Sequence, residues 1–79
     1  MVKILKKLDE LKVSTNGTGI PLTITKNGKT ERITRVYRSW QLSEKLSTDV
    51  SIRNYFKIRT GKGLYDIYHD MNSNLWYLD

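Results

Sequence analysis

Residues 50–79 alternate apolar and polar side chains in three short runs, and two turn-forming segments separate these runs. Gly61 and Lys62 predict a two-residue turn between the first two runs. The register set by this turn matches apolar side chains on one face and opposite charges on the other. The predicted pairs are Ile58–Tyr65, Lys57–Asp66, Phe56–Ile67 and Tyr55–Tyr68. Because a slip of one residue would destroy both matches, the segment predicts a three-stranded antiparallel meander.

A four-residue loop over residues 71–74 leads into the third run and places Trp76 and Leu78 beside Tyr65 and Ile67. The predicted inner face consists of Phe56, Ile58, Tyr65, Ile67, Trp76 and Leu78. The predicted outer face consists of Tyr55, Lys57, Arg59, Asp66, Tyr68 and Tyr77. One face of the meander is thus apolar enough to cover a core, and the other mixes aromatic with charged side chains.

Residues 20–40 predict a β-hairpin that turns at Asn27 and Gly28. This dipeptide is the strongest short hairpin signal, since a type I′ turn needs positive φ at both central residues. The pairs expected from a two-residue turn are Lys26–Lys29, Ile24–Glu31 and Leu22–Ile33. The hairpin would therefore carry Ile24 on its apolar face.

The apolar pattern of the returning strand is not regular. Ile33 and Val36 lie three positions apart, so a regular strand would point them to opposite faces. A β-bulge near Thr34 and Arg35 would bring Val36 and Trp40 back to the core face. Bulges of this kind bend small sheets into barrels.

Two other segments are less regular. Residues 1–12 predict an amphipathic helix, because apolar side chains recur at helical spacing: these are Met1, Ile4, Leu5, Leu8 and Leu11. Residues 41–49 are compatible with one helical turn or with a polar loop.

Together these segments predict a single domain over residues 1–79, with a helix at 1–12, a first hairpin at 20–40 and a meander at 50–79. The expected fold class is mainly β, or α+β. Its expected form is a small bent antiparallel sheet or a partly open SH3-like barrel of about five strands, with a short N-terminal helix.

The charge of the chain is unevenly distributed. Fourteen Lys and Arg face eight Asp and Glu, giving a net charge of +6 and a pI near 9.7. Residues 26–38 hold five basic side chains and one acid, and residues 53–62 hold four basic side chains and no acid. Such segments attract polyanions, although a charge of this size also serves to keep a small domain soluble.

Several classes of function are disfavoured by the sequence. The chain contains no Cys and a single histidine, His69, so we expect no disulfide framework, no metal site and no cofactor. No nucleophile motif is present, and the domain is expected not to be an enzyme. No apolar run reaches the roughly 20 residues needed to span a bilayer, and residues 1–12 lack the features of a secretion signal. We therefore expect a cytoplasmic protein with no membrane partner.

The C-terminal two thirds contain a recognisable series of residues. These are Trp40, then Tyr55-Phe56-Lys57-Ile58, Gly63, Tyr65-Asp66-Ile67-Tyr68-His69-Asp70 and Trp76-Tyr77-Leu78. Over residues 33–79 this pattern resembles a family of small bacterial β-rich domains of unknown function, some of whose members occur with translesion DNA polymerase machinery. The chain departs from the pattern at His69, where Arg is common. The resemblance implies a β-rich fold, no catalytic residues and a link to DNA metabolism.

Two sets of residues are candidates for a binding site. On the outer face of the meander, Tyr55, Tyr68 and Tyr77 interleave with Lys57 and Arg59. Rings beside cations on a sheet are typical of platforms for single-stranded nucleic acid, but cross-strand packing explains the same pattern.

The second set lies on the first hairpin and consists of Lys26, Lys29, Arg32, Arg35 and Arg38. Regular alternation puts Arg32 and Arg38 on one face and Arg35 on the other, unless the bulge realigns them. This set would contact phosphates or would protect a solvated edge strand from aggregation.

The predicted function is that of a non-enzymatic binding or accessory module that contacts a macromolecule, either nucleic acid or protein. A protein partner or a homodimer would use the apolar stripe of Leu5, Leu8 and Leu11, or an open sheet edge. The sequence leaves open whether the domain is a monomer or a homodimer.

Overall fold

The computed structural model describes residues 9–46 and 49–79, which form six β-strands. The strands are β1 (Asp9–Thr15), β2 (Pro21–Lys26), β3 (Lys29–Leu46), β4 (Asp49–Thr60), β5 (Gly63–Asp70) and β6 (Leu75–Leu78). Each strand pairs antiparallel with the next, and β1 pairs with β6 to close a barrel. The mainly β prediction is confirmed. The barrel is closed and has six strands instead of about five, because an N-terminal strand completes it.

The predicted N-terminal helix is wrong where the structure describes it. Residues 9–12 belong to β1, and residues 1–8 lie outside the described part of the chain. Leu11 is 4% exposed and lies opposite Trp76 of β6, while Val13 packs against the same core. The pairing of β1 with two neighbouring strands outweighs the helical spacing of a short segment, which is marginal as an isolated helix.

The first hairpin forms as predicted around its turn. Asn27 and Gly28 have φ of 53° and 76°, which are the positive values that a type I′ turn requires. Lys26 pairs with Lys29 and Ile24 pairs with Glu31, so the predicted register is confirmed at these positions.

The meander is also confirmed. All four predicted pairs between β4 and β5 are present, and Leu78 lies opposite Ile67. Trp76 lies opposite His69 instead of Tyr65, but it remains on the inner face as predicted. The core consists of Leu11, Ile24, Phe56, Ile58, Ile67 and Trp76, with Val13, Ile33, Val36, Tyr65 and Leu78 packed against it.

Strand β3 contains two bulges, one at the predicted place and one beyond it. The pairing with β4 skips Thr34 and then Tyr37. The first bulge returns Val36 to the core, as predicted. The second bulge shifts the phase again, so the prediction that Trp40 faces the core is wrong: Trp40 lies on the outer face, stacked on Tyr55.

The bulges also bend β3. An unbent strand of this length would extend more than about 50 Å, at roughly 3.3 Å per residue, whereas the longest dimension of the molecule is 40 Å. Residues 41–46 continue β3 and pair with β4, so the predicted helical turn or loop over 41–49 is wrong. Residues 47 and 48 lie outside the described part. The pairing of β4 with β5 ends at Arg53, and beyond it the ends of β3 and β4 continue as a two-stranded ribbon.

Within the described residues, no helix is long and apolar enough to cross a membrane.

Candidate nucleic-acid interface

The outer side of the β3–β4 pair carries two directly opposed pairs of cations. Arg35 lies opposite Arg59, and Arg38 lies opposite Lys57. All four side chains are exposed, and they point outward because their neighbours Ile58 and Thr60 are buried in the barrel. The second bulge, at Tyr37, brings Arg35 and Arg38 to the same face, which regular alternation would have prevented. We call these four residues the basic face.

Arg32, the third arginine of the predicted set, is exposed and lies opposite Thr23 of β2. It shares the outer surface of β3 but stands apart from the two cation pairs. Its position extends the positive charge along β3 toward the first hairpin.

Tyr37 stands at the centre of the basic face. The Nε of Arg59 donates a hydrogen bond of 2.8 Å to the Tyr37 hydroxyl. The Arg35 guanidinium lies 5.0 Å from the centroid of the same ring, within cation–π range. The ring therefore fixes the positions of both guanidinium groups, and both arginines remain exposed.

These cations are not neutralised locally. Lys57 also lies opposite Asp66 of β5, but Asp66 Oδ1 accepts no hydrogen bond from the described residues. Within residues 10–45 and 49–79, neither Lys57 nor Arg59 forms an ion pair with a carboxylate. The positive charge of the basic face is thus available to an external anion.

A row of four rings crosses the outer surface next to the basic face. We call Trp40, Tyr55, Tyr68 and Tyr77 the aromatic row, one residue from each of the strands β3 to β6. Successive ring centroids are 5.3, 5.1 and 5.3 Å apart. Tyr55 and Tyr68 are only 8% and 5% exposed. Their faces contact neighbouring rings, so these two tyrosines offer no surface on which a base can stack.

Cations also cover parts of the aromatic row. Arg38 lies 5.1 Å from the centroid of Trp40, and Arg53 lies 5.1 Å from the centroid of Tyr68. Burial raises the pKa of the Tyr68 phenol, and the charge of Arg53 partly offsets this rise. Interaction with Tyr55 raises the pKa of Arg53, a group that is always charged in proteins. The row is therefore a packed structural element bordered by positive charge.

A second feature lies where the ribbon leaves the barrel. A cleft of about 480 Å³ opens there between the inner side of β3–β4, the β1–β2 loop and the end of β5. We call it the mouth cleft. Phe56 forms part of its wall, and Gln41, Asn54 and His69 contribute polar groups. His69 stacks flat on the core residue Trp76, with centroids 4.4 Å apart and planes inclined by 2°.

The structure thus divides the predicted site residues into two groups. Arg35, Arg38, Lys57 and Arg59 come together, with Arg32 farther along the same surface. Tyr55, Tyr68 and Tyr77 lie together in the aromatic row, where the first two are buried. The described part of the chain contains no group of three His, Asp or Glu side chains that could hold a metal ion.

Sequence analysis missed four contributors to these surfaces: Tyr37, Arg53, Gln41 and Asn54. The spacing of Arg35, Tyr37, Arg38 and Trp40 does interleave rings with cations, as the meander does. Regular alternation, however, distributes these four residues over both faces, and only the second bulge brings them together. Gln41 lies in residues 41–49, which the sequence did not identify as a strand, so its position opposite Asn54 could not be predicted.

The chain has no significant match to any family model, to any curated protein or to any solved structure. The resemblance to small bacterial β-rich domains therefore remains a prediction, and the interpretation of the surfaces depends on their geometry.

Proposed function

We propose that this domain is a non-enzymatic module that binds single-stranded nucleic acid through the basic face. The observation that carries the proposal is the direct opposition of Arg35 with Arg59 and of Arg38 with Lys57. Like charges directly opposite each other destabilise a β-sheet. A bound polyanion would remove this repulsion, and phosphate oxygens are suitable acceptors for guanidinium groups.

The shape of the basic face also favours this ligand. The cations follow the direction of two long strands, so they can contact successive phosphates of an extended chain. Tyr37 is 44% exposed and lies among them. Its hydroxyl group and the edge of its ring add polar and apolar contacts to the phosphate contacts.

A protein partner is less well supported. Leu11, one of the three leucines of the predicted docking stripe, is buried in the core, and Leu5 and Leu8 lie outside the described part of the chain. β3 pairs with β2 only over residues 29–32, which leaves much of its other edge open. Bulges and charged side chains on that edge oppose the addition of another strand.

A salt-dependent titration tests the proposal. A short fluorescent single-stranded DNA is titrated with the protein, and anisotropy gives the affinity at several salt concentrations. For single strands, log K falls with log salt by about 0.7 per phosphate contacted. If all four cations of the basic face contact phosphates, the slope is about −2.8.

Charge-removing variants locate the site. Lys57→Gln and Arg59→Gln should each weaken binding and reduce the slope by about 0.7. Lys12→Gln is the matched control, because Lys12 is exposed on β1, across the barrel from β4. An affinity that does not depend on salt, a preference for duplex DNA, or an equal loss in the Lys12 variant would contradict the proposal.

The oligomeric state is measured in the same samples. We propose a cytoplasmic monomer, for which light scattering gives one mass at low and high protein concentration. A mass that doubles with concentration would instead support the homodimer.

A further inference from the structure

The mouth cleft is a candidate for a second, more selective contact. Its volume of about 480 Å³ lies within the range of small-molecule sites, roughly 300–1,000 Å³. Its wall combines the ring of Phe56 with a few polar side chains. Such a combination suits a flat ring that carries hydrogen-bonding groups at its edge.

Two amides in this cleft are paired with each other but are not fully satisfied. Gln41 and Asn54 lie directly opposite each other on β3 and β4, and Gln41 Nε2 donates a hydrogen bond of 2.8 Å to Asn54 Oδ1. This bond fixes the orientation of both amide groups. It leaves Gln41 Oε1 as an acceptor for which the described residues provide no donor.

The donor group of Asn54 has only a weak partner. Asn54 Nδ2 lies 3.3 Å from the thioether sulfur of Met71, and a thioether is a poor acceptor. A carbonyl oxygen that entered the cleft would be a better partner for this N–H group. The amide pair therefore presents one acceptor, Gln41 Oε1, and one under-used donor, Asn54 Nδ2.

His69 adds a fixed polar group to the cleft. Its Nε2 donates to Asn74 Oδ1 at 2.8 Å, since an amide oxygen can only accept. Stacking on Trp76 holds the ring in place. In the neutral ring, Nδ1 is then a second acceptor held in a defined orientation.

We infer that the mouth cleft binds one unpaired nucleobase that carries a ring N–H next to a carbonyl group, as thymine, uracil and guanine do. The ring N–H would donate to Gln41 Oε1, and the carbonyl would accept from Asn54 Nδ2. Adenine has no carbonyl and cytosine has no ring N–H at this edge, so both would leave the amide pair unsatisfied.

This inference rests on the proposed function, because the base would come from a strand lying on the basic face. The basic face lies on the outer side of β3–β4 and the cleft on the inner side, so the strand would pass round the edge of β3, which does not pair with β2 beyond Arg32. Trp40 borders the cleft and contacts Arg38 of the basic face. Arg38 and Gln41 are separated by three positions on β3, or roughly 10 Å.

Free nucleosides test the cleft without the basic face, since they carry no phosphate. NMR spectra of the labelled protein are recorded during titration with thymidine and with N3-methylthymidine, which lacks only the ring N–H. We expect thymidine to shift the side-chain amide signals of Gln41 and Asn54 and the ring signals of His69. N3-methylation should weaken binding about tenfold or more, because it leaves a polar group without its partner.

Variants and a second nucleoside complete the test. Gln41→Leu should remove the difference between the two thymidines, whereas Lys57→Gln should leave it unchanged. Guanosine carries the same edge, and its affinity relative to thymidine identifies the ring that the cleft admits. Equal binding of thymidine and N3-methylthymidine, or shifts confined to other residues, would overturn the inference.

Oligonucleotides separate this inference from the proposed function. If the proposed function is right and the inference is wrong, oligothymidylate and oligoadenylate bind with the same salt slope, and Gln41→Leu does not change their relative affinities. If neither strand binds at low salt, the proposed function fails. If both are right, the preference for oligothymidylate falls about tenfold in Gln41→Leu, while Lys57→Gln weakens both strands equally.

Discussion

Replacing Tyr68 by Ala tests whether the aromatic row is a structural element or a ligand platform. Tyr68 is 5% exposed and has two ring neighbours, Tyr55 at 5.1 Å and Tyr77 at 5.3 Å. Truncating a buried aromatic side chain to Ala destabilises a protein by about 3–5 kcal/mol. Because Tyr68 lies on the outside of the barrel, water can fill part of the space, and we expect about 3 kcal/mol, at the lower end.

This loss is large for a domain of this size. A chain of 79 residues is expected to have a total stability of about 4–12 kcal/mol. At about 4–8 °C for each kcal/mol, the melting temperature of Tyr68→Ala should fall by roughly 12–24 °C. Thermal and urea unfolding measure the change, and they are followed by fluorescence, to which Trp40 of the row and the buried Trp76 both contribute.

Tyr77→Ala is the matched control, because Tyr77 ends the row, is half-buried and has one ring neighbour. Tyr77→Ala should lower the free energy of unfolding by at most about half as much as Tyr68→Ala does. Below its melting temperature, Tyr68→Ala should bind single-stranded DNA within about twofold of wild type, since the basic face is unchanged. An unaltered melting temperature together with a tenfold loss of affinity would refute the structural interpretation and make Tyr68 a ligand contact.

Three further changes test other parts of the structure. Trp76→Ala should cost about 3–5 kcal/mol in urea unfolding, because the ring packs on Phe56 and His69; unchanged unfolding would place Trp76 outside the core. Gly28→Val should cost about 1–2 kcal/mol through its positive φ, whereas Gly61→Val, in a turn without positive φ at that position, should cost less; equal losses would argue against the type I′ turn. Since folding raises the pKa of Tyr68 above 10.0, the folded state holds this proton more tightly, so its stabilising contribution is complete below pH 10 and is lost as the pH rises through the higher folded value. As the pH rises above 10, wild type should therefore lose more stability than Tyr68→Phe, and parallel curves of stability against pH would contradict the effect of burial.

The parts of the fold that were predictable depend on contacts between neighbours in sequence. The hairpin at Asn27 and Gly28 was predicted in detail because a two-residue turn fixes the register of both strands. The β4–β5 register followed from the turn at Gly61, and the pairing of Phe56 with Ile67 agreed with it independently. In both cases the turn residues and the pairing of side chains across the two strands indicated the same register.

The errors occur where structure depends on distant strands. Leu8 and Leu11 fit a helical pattern, yet Leu11 is fixed by its pairing with Trp76, which is far away in the sequence. No local signal shows that β6 needs a partner to close the barrel. Trp40 was placed on the wrong face for a related reason. The spacing of the apolar residues Ile33 and Val36 shows that one bulge is needed after Ile33, but nothing in the local sequence requires a second bulge at Tyr37.

The candidate site shows the same division. The basic residues could be selected from composition, because charge does not depend on register. Their assembly into opposed pairs depends on the second bulge, at Tyr37, so it could not be predicted from alternation. The mouth cleft was not predicted, since Gln41 and Asn54 become neighbours only when residues 41–46 are known to extend β3.

The two bulges also determine where the chain of β3 tolerates a change of length. The register between β3 and β4 skips Thr34 and Tyr37, so deleting either one leaves every other pair in register and every other side chain on its own face. Deleting any paired residue between Arg38 and Gln41 would instead exchange the inside and outside of the strand beyond it. Among sequences that share this barrel, gaps and single insertions in the third strand should therefore collect at these two positions, and a straighter, less curved barrel should accompany each gap.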